Sequence, residues 1–135
     1  LGSTFGRNPL ACAAGLAAFT ALEEDGLMAR PATIEGMLIA RLQKMMDTYK
    51  IIGDVRVKGC LAGVELVHDR VSKEPAKEKA QMVLQECQGR GVIAAPGGPY
   101  TNVVRVMPPL TISDEDLAQG LDILEAAIAK ADSGR

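Results

Sequence analysis

NVVRVMPPLTISDED, residues 102–116, changes character twice within one short stretch. Val103 to Met107 is an apolar, β-branched run carrying a single arginine, Arg105, and reads as a strand. Pro108-Pro109 ends it, because neither residue has an N–H to give to a ladder. Ser113 then opens a helix as its N-cap. Asp116 takes the third helical position, where a capping box usually has Glu, and Ile112 can staple onto Leu117. Leu117, Leu121, Leu124 and Ile128 follow as one buried stripe, and residues 132–135 read as a frayed tail. A guanidinium among valines is costly to bury without a carboxylate or phosphate partner. Arg105 therefore either faces water from an edge strand or is held ready for an anion, and this stretch alone leaves the two readings level.

Moving upstream, Pro96-Gly97-Gly98-Pro99 reads as a loop excluded from regular structure, with a short apolar strand, Val92–Ala95, before it. Ala80, Val83, Leu84 and Cys87 mark an amphipathic helix ended by Gly89 and Gly91. His68 to Pro75 is a polar loop. Asp54-Val55-Arg56-Val57-Lys58 alternates as a half-buried strand, Gly59 interrupts, and Leu61 to Val67 continues as a more buried strand with Glu65 inside it. Met28 to Tyr49 predicts a helix with Ile34, Leu38, Leu42, Met45 and Tyr49 inward and Pro31 tolerated near its start. Asn8-Pro9 is an N-cap followed by proline at the first helical position, opening an alanine-rich helix over Pro9–Glu24. Lacking a polar face before Glu23, that helix is expected to be buried, with Gly26 as its left-handed cap. The order α-α-β-β-α-β-β-α predicts an α+β fold. Its small, mostly antiparallel sheet has helices packed on one face and follows the long alanine-rich helix.

At 135 residues the chain is long enough for one domain with a modest core. With 3% aromatics and no tryptophan it has almost no platforms for stacking bases or sugars, and a net charge of −2 disfavours nucleic acid and anionic membranes as partners. Cys12, Cys60 and Cys87 form no CxxC pair; reduced thiols in a cytoplasmic protein are the simplest reading. Ala11–Leu22 is shorter than the roughly 20 residues of a membrane span, and no basic leader precedes it. A start at Leu1 rather than Met suggests a piece of a longer chain or a processed one.

Local chemistry is sparse. His68 has no nucleophile motif nearby and reads as a surface histidine. Glu65 and Asp69 read as a solvated strand end rather than a catalytic carboxylate pair, and no GxGxxG or Walker sequence is present. Ser3-Thr4, ahead of the Asn8-Pro9 helix start, would suit a phosphate. Composition alone favours the plainer reading, in which Thr4 caps a turn.

Three stretches resemble class III aminotransferases of fold type I, in matching order and spacing over essentially the whole chain. STFGRNPLACAAGLAA is similar to the segment after the cofactor-lysine region, and IGDVRVKGCLAGVELV to the family's IGDVRG segment. RGVIAAPGGPYTNVVRVMPPLTISDEDLAQGLDIL is similar to its C-terminal segment, with GPYTNVVR most like 4-aminobutyrate aminotransferases. The resemblance implies that the chain is a C-terminal piece of such an enzyme, with residues 1–26 forming a turn and interface helix and residues 27–135 the small domain. It implies that Thr4, with Ser3 beside it, binds the phosphate of pyridoxal 5′-phosphate across a homodimer interface. It also implies that Arg105 clamps the α-carboxylate of an amino-acid substrate, a task suited to a planar fork. Gly59 and Pro108-Pro109 match structural positions; Arg7 departs from the glycine common there. The implied reaction moves an amino group from 4-aminobutyrate or a similar ω-amino acid to 2-oxoglutarate. The Schiff-base lysine and the aspartate that pairs with the pyridinium nitrogen are expected upstream of Leu1, so this chain alone is expected not to turn over or hold the cofactor covalently. Without the large domain, its alanine-rich helix is expected to be exposed or to drive self-association. The alternatives are a non-catalytic α/β interaction or ligand-binding module, or a decarboxylase, aminomutase or racemase of the same superfamily.

Overall fold

Residues 54–58 alternate because one face of their strand is covered and the other is open. The computed structural model describes residues 8–134. In order, it contains helix α1 (Pro9–Glu24), a 3-10 turn (Leu27–Ala29), α2 (Arg30–Thr48), strands β1 (Ile52–Lys58) and β2 (Leu61–Leu66), α3 (Lys77–Gly89), β3 (Ala95–Gly97), β4 (Val103–Val106) and α4 (Asp114–Ser133). The strands form one sheet in the order β1-β2-β4-β3, and each neighbouring pair is antiparallel.

Register decides which side chains meet the helices. Val55, Val64 and Val104 lie in one cross-strand row, and Val57, Ala62 and Val106 in the next. These rows face the core, where α2 contributes Ile34, Leu38, Leu42 and Met45, α3 contributes Ala80, Val83 and Cys87, and α4 contributes Leu117, Leu121, Leu124 and Ile128. The intervening residues, Arg56, Glu65 and Arg105 among them, lie on the uncovered face, as strand alternation requires. The α+β arrangement expected from the sequence is therefore present, with helices on one side of a small antiparallel sheet.

Polar contacts hold the helices in place. Arg41 of α2 reaches Asp122 at 2.5 Å and Glu125 at 3.0 Å on α4. Arg30 pairs with Asp114 at 2.5 Å and donates to the Ile112 carbonyl at 2.7 Å. Arg70 leaves the 68–75 loop to donate to the carbonyls of Ile52 at 2.9 Å, Tyr49 at 2.8 Å and Met46. It thereby supplies donors to orphan carbonyls at the end of α2.

Four expectations need correction. The third strand covers Ala95–Gly97 rather than residues 92–95. Gly91 is left-handed (φ 87°) and the Val92 N–H returns to the Cys87 carbonyl at 2.9 Å, so Val92 belongs to the cap of α3. Pro96 is accommodated because β3 is an edge strand, where a missing N–H can face away from the sheet. The α-helical part of the second helix starts at Arg30, after the 3-10 turn, instead of Met28. The C-terminal tail is helical to Ser133, and Asp132 accepts the Ile51 N–H at 3.1 Å, which ties it to the start of β1. Finally, α1 is not buried: Leu10, Leu16 and Phe19 are 81%, 70% and 69% exposed, and α1 packs mainly on the 3-10 turn. Its alanines are exposed, so beyond the 3-10 turn the helix buries little against the described residues.

Candidate active site on the open face of the sheet

Arg105 sits in the middle of the four-residue strand β4, directly across from Gly63 on β2 and Ala95 on β3. Because β4 lies between β2 and β3, the edge-strand reading of Arg105 does not hold. The side chain is exposed because the second face of the sheet is uncovered, not because the strand is at a margin. Its cross-strand neighbours are small. A Cβ at Gly63 would meet a Val103 methyl at 3.3 Å, and one at Gly97 would lie 3.9 Å from the Arg105 Cβ. Small residues thus leave room around the guanidinium where larger side chains would crowd it.

The loop before β4 fixes this strand's position. Gly98 (φ 75°) and Thr101 (φ 54°) are both left-handed, and the Thr101 N–H returns to the Gly98 carbonyl at 3.2 Å. Asn102 is 1% exposed, the one buried polar side chain among the described residues. Its Nδ2 donates to the Leu66 carbonyl at 2.9 Å, and its own carbonyl accepts the Leu66 N–H at 2.8 Å. This two-sided link registers the GPYTN turn against β2 and so sets the position of Arg105 three residues later.

Together these elements wall an open concavity of about 590 Å³, whose lining includes Arg56, Gly63, Glu65, Tyr100, Val103 and Arg105. Arg30, Arg41, Arg56 and Arg70 each engage an acceptor. Arg105 makes no hydrogen bond or ion pair with any described residue. The nearest diagonal carboxylate, Glu65, is taken by Arg56 at 2.7 Å, and Arg56 also holds Asp54 at 3.3 Å. A planar fork with no partner among the described residues, in an open concavity of mixed apolar and charged lining, is suited to bidentate recognition of a carboxylate.

Other sequence candidates resolve differently. His68 is exposed and lies 3.3 Å from Glu78, a surface pairing. Asp69 accepts the N–H groups of Ser72 at 2.8 Å and Val71 at 3.0 Å, and these bonds hold its carboxyl below the usual range. Asp69 therefore shares nothing with Glu65. No group of three His, Cys, Asp or Glu among the described residues is placed to hold a metal. A smaller cleft of about 290 Å³ beside α4 has Asp116 as its one charged lining residue. Asp116 accepts from the Ser113 hydroxyl at 2.7 Å, in a variant of the expected capping box.

Ser3, Thr4 and Arg7 lie outside the described residues. The helix that follows them is a poor anion site in its own right. Pro9 has no N–H, and the Ala11 N–H is taken by Asn8 Oδ1 at 2.8 Å. Any phosphate held at this end would depend on the hydroxyls preceding the helix. Sequence reasoning missed the Arg56 bridge to Asp54 and Glu65; its only signal was the charge pattern on two alternating strands, which becomes legible once the register is known.

The aminotransferase class-III family profile matches residues 1–128. A 4-aminobutyrate aminotransferase of Mycobacterium leprae is 48% identical over 92% of this chain and 28% of its own length. A leucine/methionine racemase of Thermococcus litoralis is 44% identical over 95% of this chain and 28% of its own. An aminotransferase crystal structure from Bacillus anthracis superposes with a TM-score of 0.87 at 34% identity, covering 95% of this chain and 30% of that one. The chain thus spans less than a third of the length of the relatives it matches. By the family match along nearly all of its length, the chain belongs to the class-III aminotransferases.

Proposed function

We propose that this chain forms the substrate-carboxylate side of an aminotransferase that moves an amino group from 4-aminobutyrate or a similar ω-amino acid to 2-oxoglutarate. One observation carries the reading: Arg105, alone of the arginines on the open face, has no partner among the described residues and lines a concavity in which its direct cross-strand neighbours, Gly63 and Ala95, are small. In its role the guanidinium takes the α-carboxylate of the α-amino or α-oxo acid, glutamate or 2-oxoglutarate, in a bidentate pair and orients the neighbouring carbon that exchanges the amino group. The similarity to 4-aminobutyrate aminotransferases supports the choice of donor.

Class-III aminotransferases are in general pyridoxal-phosphate enzymes. Pyridoxal 5′-phosphate, when bound, supplies the electron sink for the amino-group chemistry. The family resemblance gives the phosphate-binding role to Thr4, with Ser3 beside it; the Ala11 N–H is already taken by Asn8, which leaves the α1 terminus less to add. We assign these to a homodimer interface in the full-length enzyme, with residues 1–26 as the interface segment and 27–135 as the small domain. Support for that division comes from α1, which packs mainly on the 3-10 turn. A cytoplasmic location agrees with three free cysteines; among the described residues no helix is long and apolar enough to cross a membrane.

A second reading, an amino-acid racemase, is favoured by the 44% identical leucine/methionine racemase. Incubating the full-length protein with a single enantiomer, with and without 2-oxoglutarate, separates the two: a transaminase needs the acceptor and a racemase does not. The site itself is tested by Arg105→Gln in the full-length enzyme. Its kcat/KM for glutamate should fall about tenfold to a hundredfold, the scale of losing a charged hydrogen-bonded pair. An unchanged value would remove Arg105 from the site.

A further inference from the structure

We infer that Arg56 is a positioning residue whose task is to keep Glu65 away from Arg105, so that the Arg105 guanidinium stays open to a substrate carboxylate; this rests on the carboxylate-clamp reading above. Gly63 on β2 pairs with Arg56 on β1 and with Arg105 on β4, so the two arginines flank a position that has no side chain. Glu65 lies two residues further along β2 on the same face, making it a diagonal neighbour of both, about 7–8 Å away between backbones and within reach of long side chains. Its carboxylate therefore has two cations to choose from. It sits on Arg56 at 2.7 Å, and Arg105 is left without a partner among the described residues.

A second feature makes Arg56 the controlling member. Asp54 is directly opposite Glu65 in the β1–β2 register, an arrangement that repels when both are ionised. Arg56 bridges the two, at 3.3 Å to Asp54 and 2.7 Å to Glu65, and cancels that repulsion. Without Arg56, Asp54 would push Glu65 away from β1, and the nearest cation on the other side is Arg105. The pair formed would occupy the fork that the substrate needs and would compete with it directly. The bland role for Arg56, an exposed ion pair of little energetic value, predicts no such effect on substrate binding.

The test is a double-mutant cycle in the full-length enzyme, read as KM for glutamate and kcat. Arg56→Met should raise KM about tenfold with kcat within about twofold, the scale of coupling expected between residues in contact. Glu65→Gln alone should leave KM near the starting value, and Arg56→Met with Glu65→Gln should restore it. A purely structural role for Arg56 would not be rescued by removing Glu65. Persistent loss in the double variant, or an unchanged KM in Arg56→Met, overturns the inference. Arg105→Gln, measured in parallel, keeps the two claims separate. If Arg105→Gln weakens glutamate but Arg56→Met does not, the clamp stands and the positioning role falls. If Arg105→Gln has no effect, the clamp itself falls.

Discussion

Replacing Asn102 probes how the site is held. Its side chain is 1% exposed and its Nδ2 donates to the Leu66 carbonyl at 2.9 Å. That carbonyl also accepts the Ala76 N–H at 3.1 Å, so Asn102→Ala leaves it with one partner. The expected cost is therefore about 1–1.5 kcal/mol, near a single neutral hydrogen bond plus a little packing. Asn102→Asp keeps the shape but replaces the donor with an acceptor facing the Leu66 carbonyl oxygen, and it buries a charge. Its cost should be larger, about 3 kcal/mol at pH 7. The pH dependence gives an internal check. A carboxyl buried this way has its pKa raised above the unfolded value of about 3.9. The protonated form can donate to Leu66, so the variant is most stable at low pH and loses stability as pH rises through the folded-state pKa. Urea unfolding followed by far-UV circular dichroism at pH 7 and about pH 4.5, each referred to Asn102→Ala, measures both effects. If Asn102→Asp were no costlier than Asn102→Ala at pH 7, or if the gap did not shrink in acid, the hydrogen-bond account of this turn would be wrong.

Three further outcomes are expected. Deleting residues 1–26 should change the stability of the remainder by less than about 1 kcal/mol, because α1 buries no side chain, and should reduce self-association in light scattering; loss of cooperative unfolding would contradict this. Lys130 holds the Glu86 carboxyl below its usual range, and backbone N–H groups do the same for Asp69. Their contribution is present above the unfolded carboxylate pKa and fades as pH falls below about 5; Lys130→Met should flatten the Glu86 part of that slope in acid unfolding curves, and an unaltered slope would count against it. The exposed Cys12 thiol should react with Ellman's reagent at once, whereas Cys87, buried and pushed up by burial, should react only as fast as the chain opens; equal rates would contradict its burial.

The helices were largely legible because their signals are local. Ile34, Leu38, Leu42 and Met45 recur at helical spacing and are all buried, and Ser113 caps α4 through the Asp116 N–H at 3.0 Å. The face occupied by Arg105 was not legible from its own strand. Whether a strand is at an edge depends on its neighbours: β4 has β3 beside it through a local hairpin, but it becomes an interior strand only by pairing with β2, about 40 residues upstream. The Pro96-Gly97 strand was hidden for a related reason: composition describes a loop, but an edge position tolerates proline. The exposure of α1 reflects what surrounds it, since an alanine-rich sequence specifies close packing without supplying the partner. For the site, flanking motifs pointed to Arg105, while the Arg56 bridge to Asp54 and Glu65 needed the cross-strand register.

The most direct measurement is a crystal structure of the full-length enzyme with an amino-acid substrate or a non-reacting analogue bound. The substrate carboxylate should lie on Arg105 in a two-pronged pair, at about 2.7–2.9 Å, with Glu65 still on Arg56. A carboxylate bound elsewhere, with the Arg105 guanidinium turned to water or paired with a protein carboxylate, would contradict the assignment.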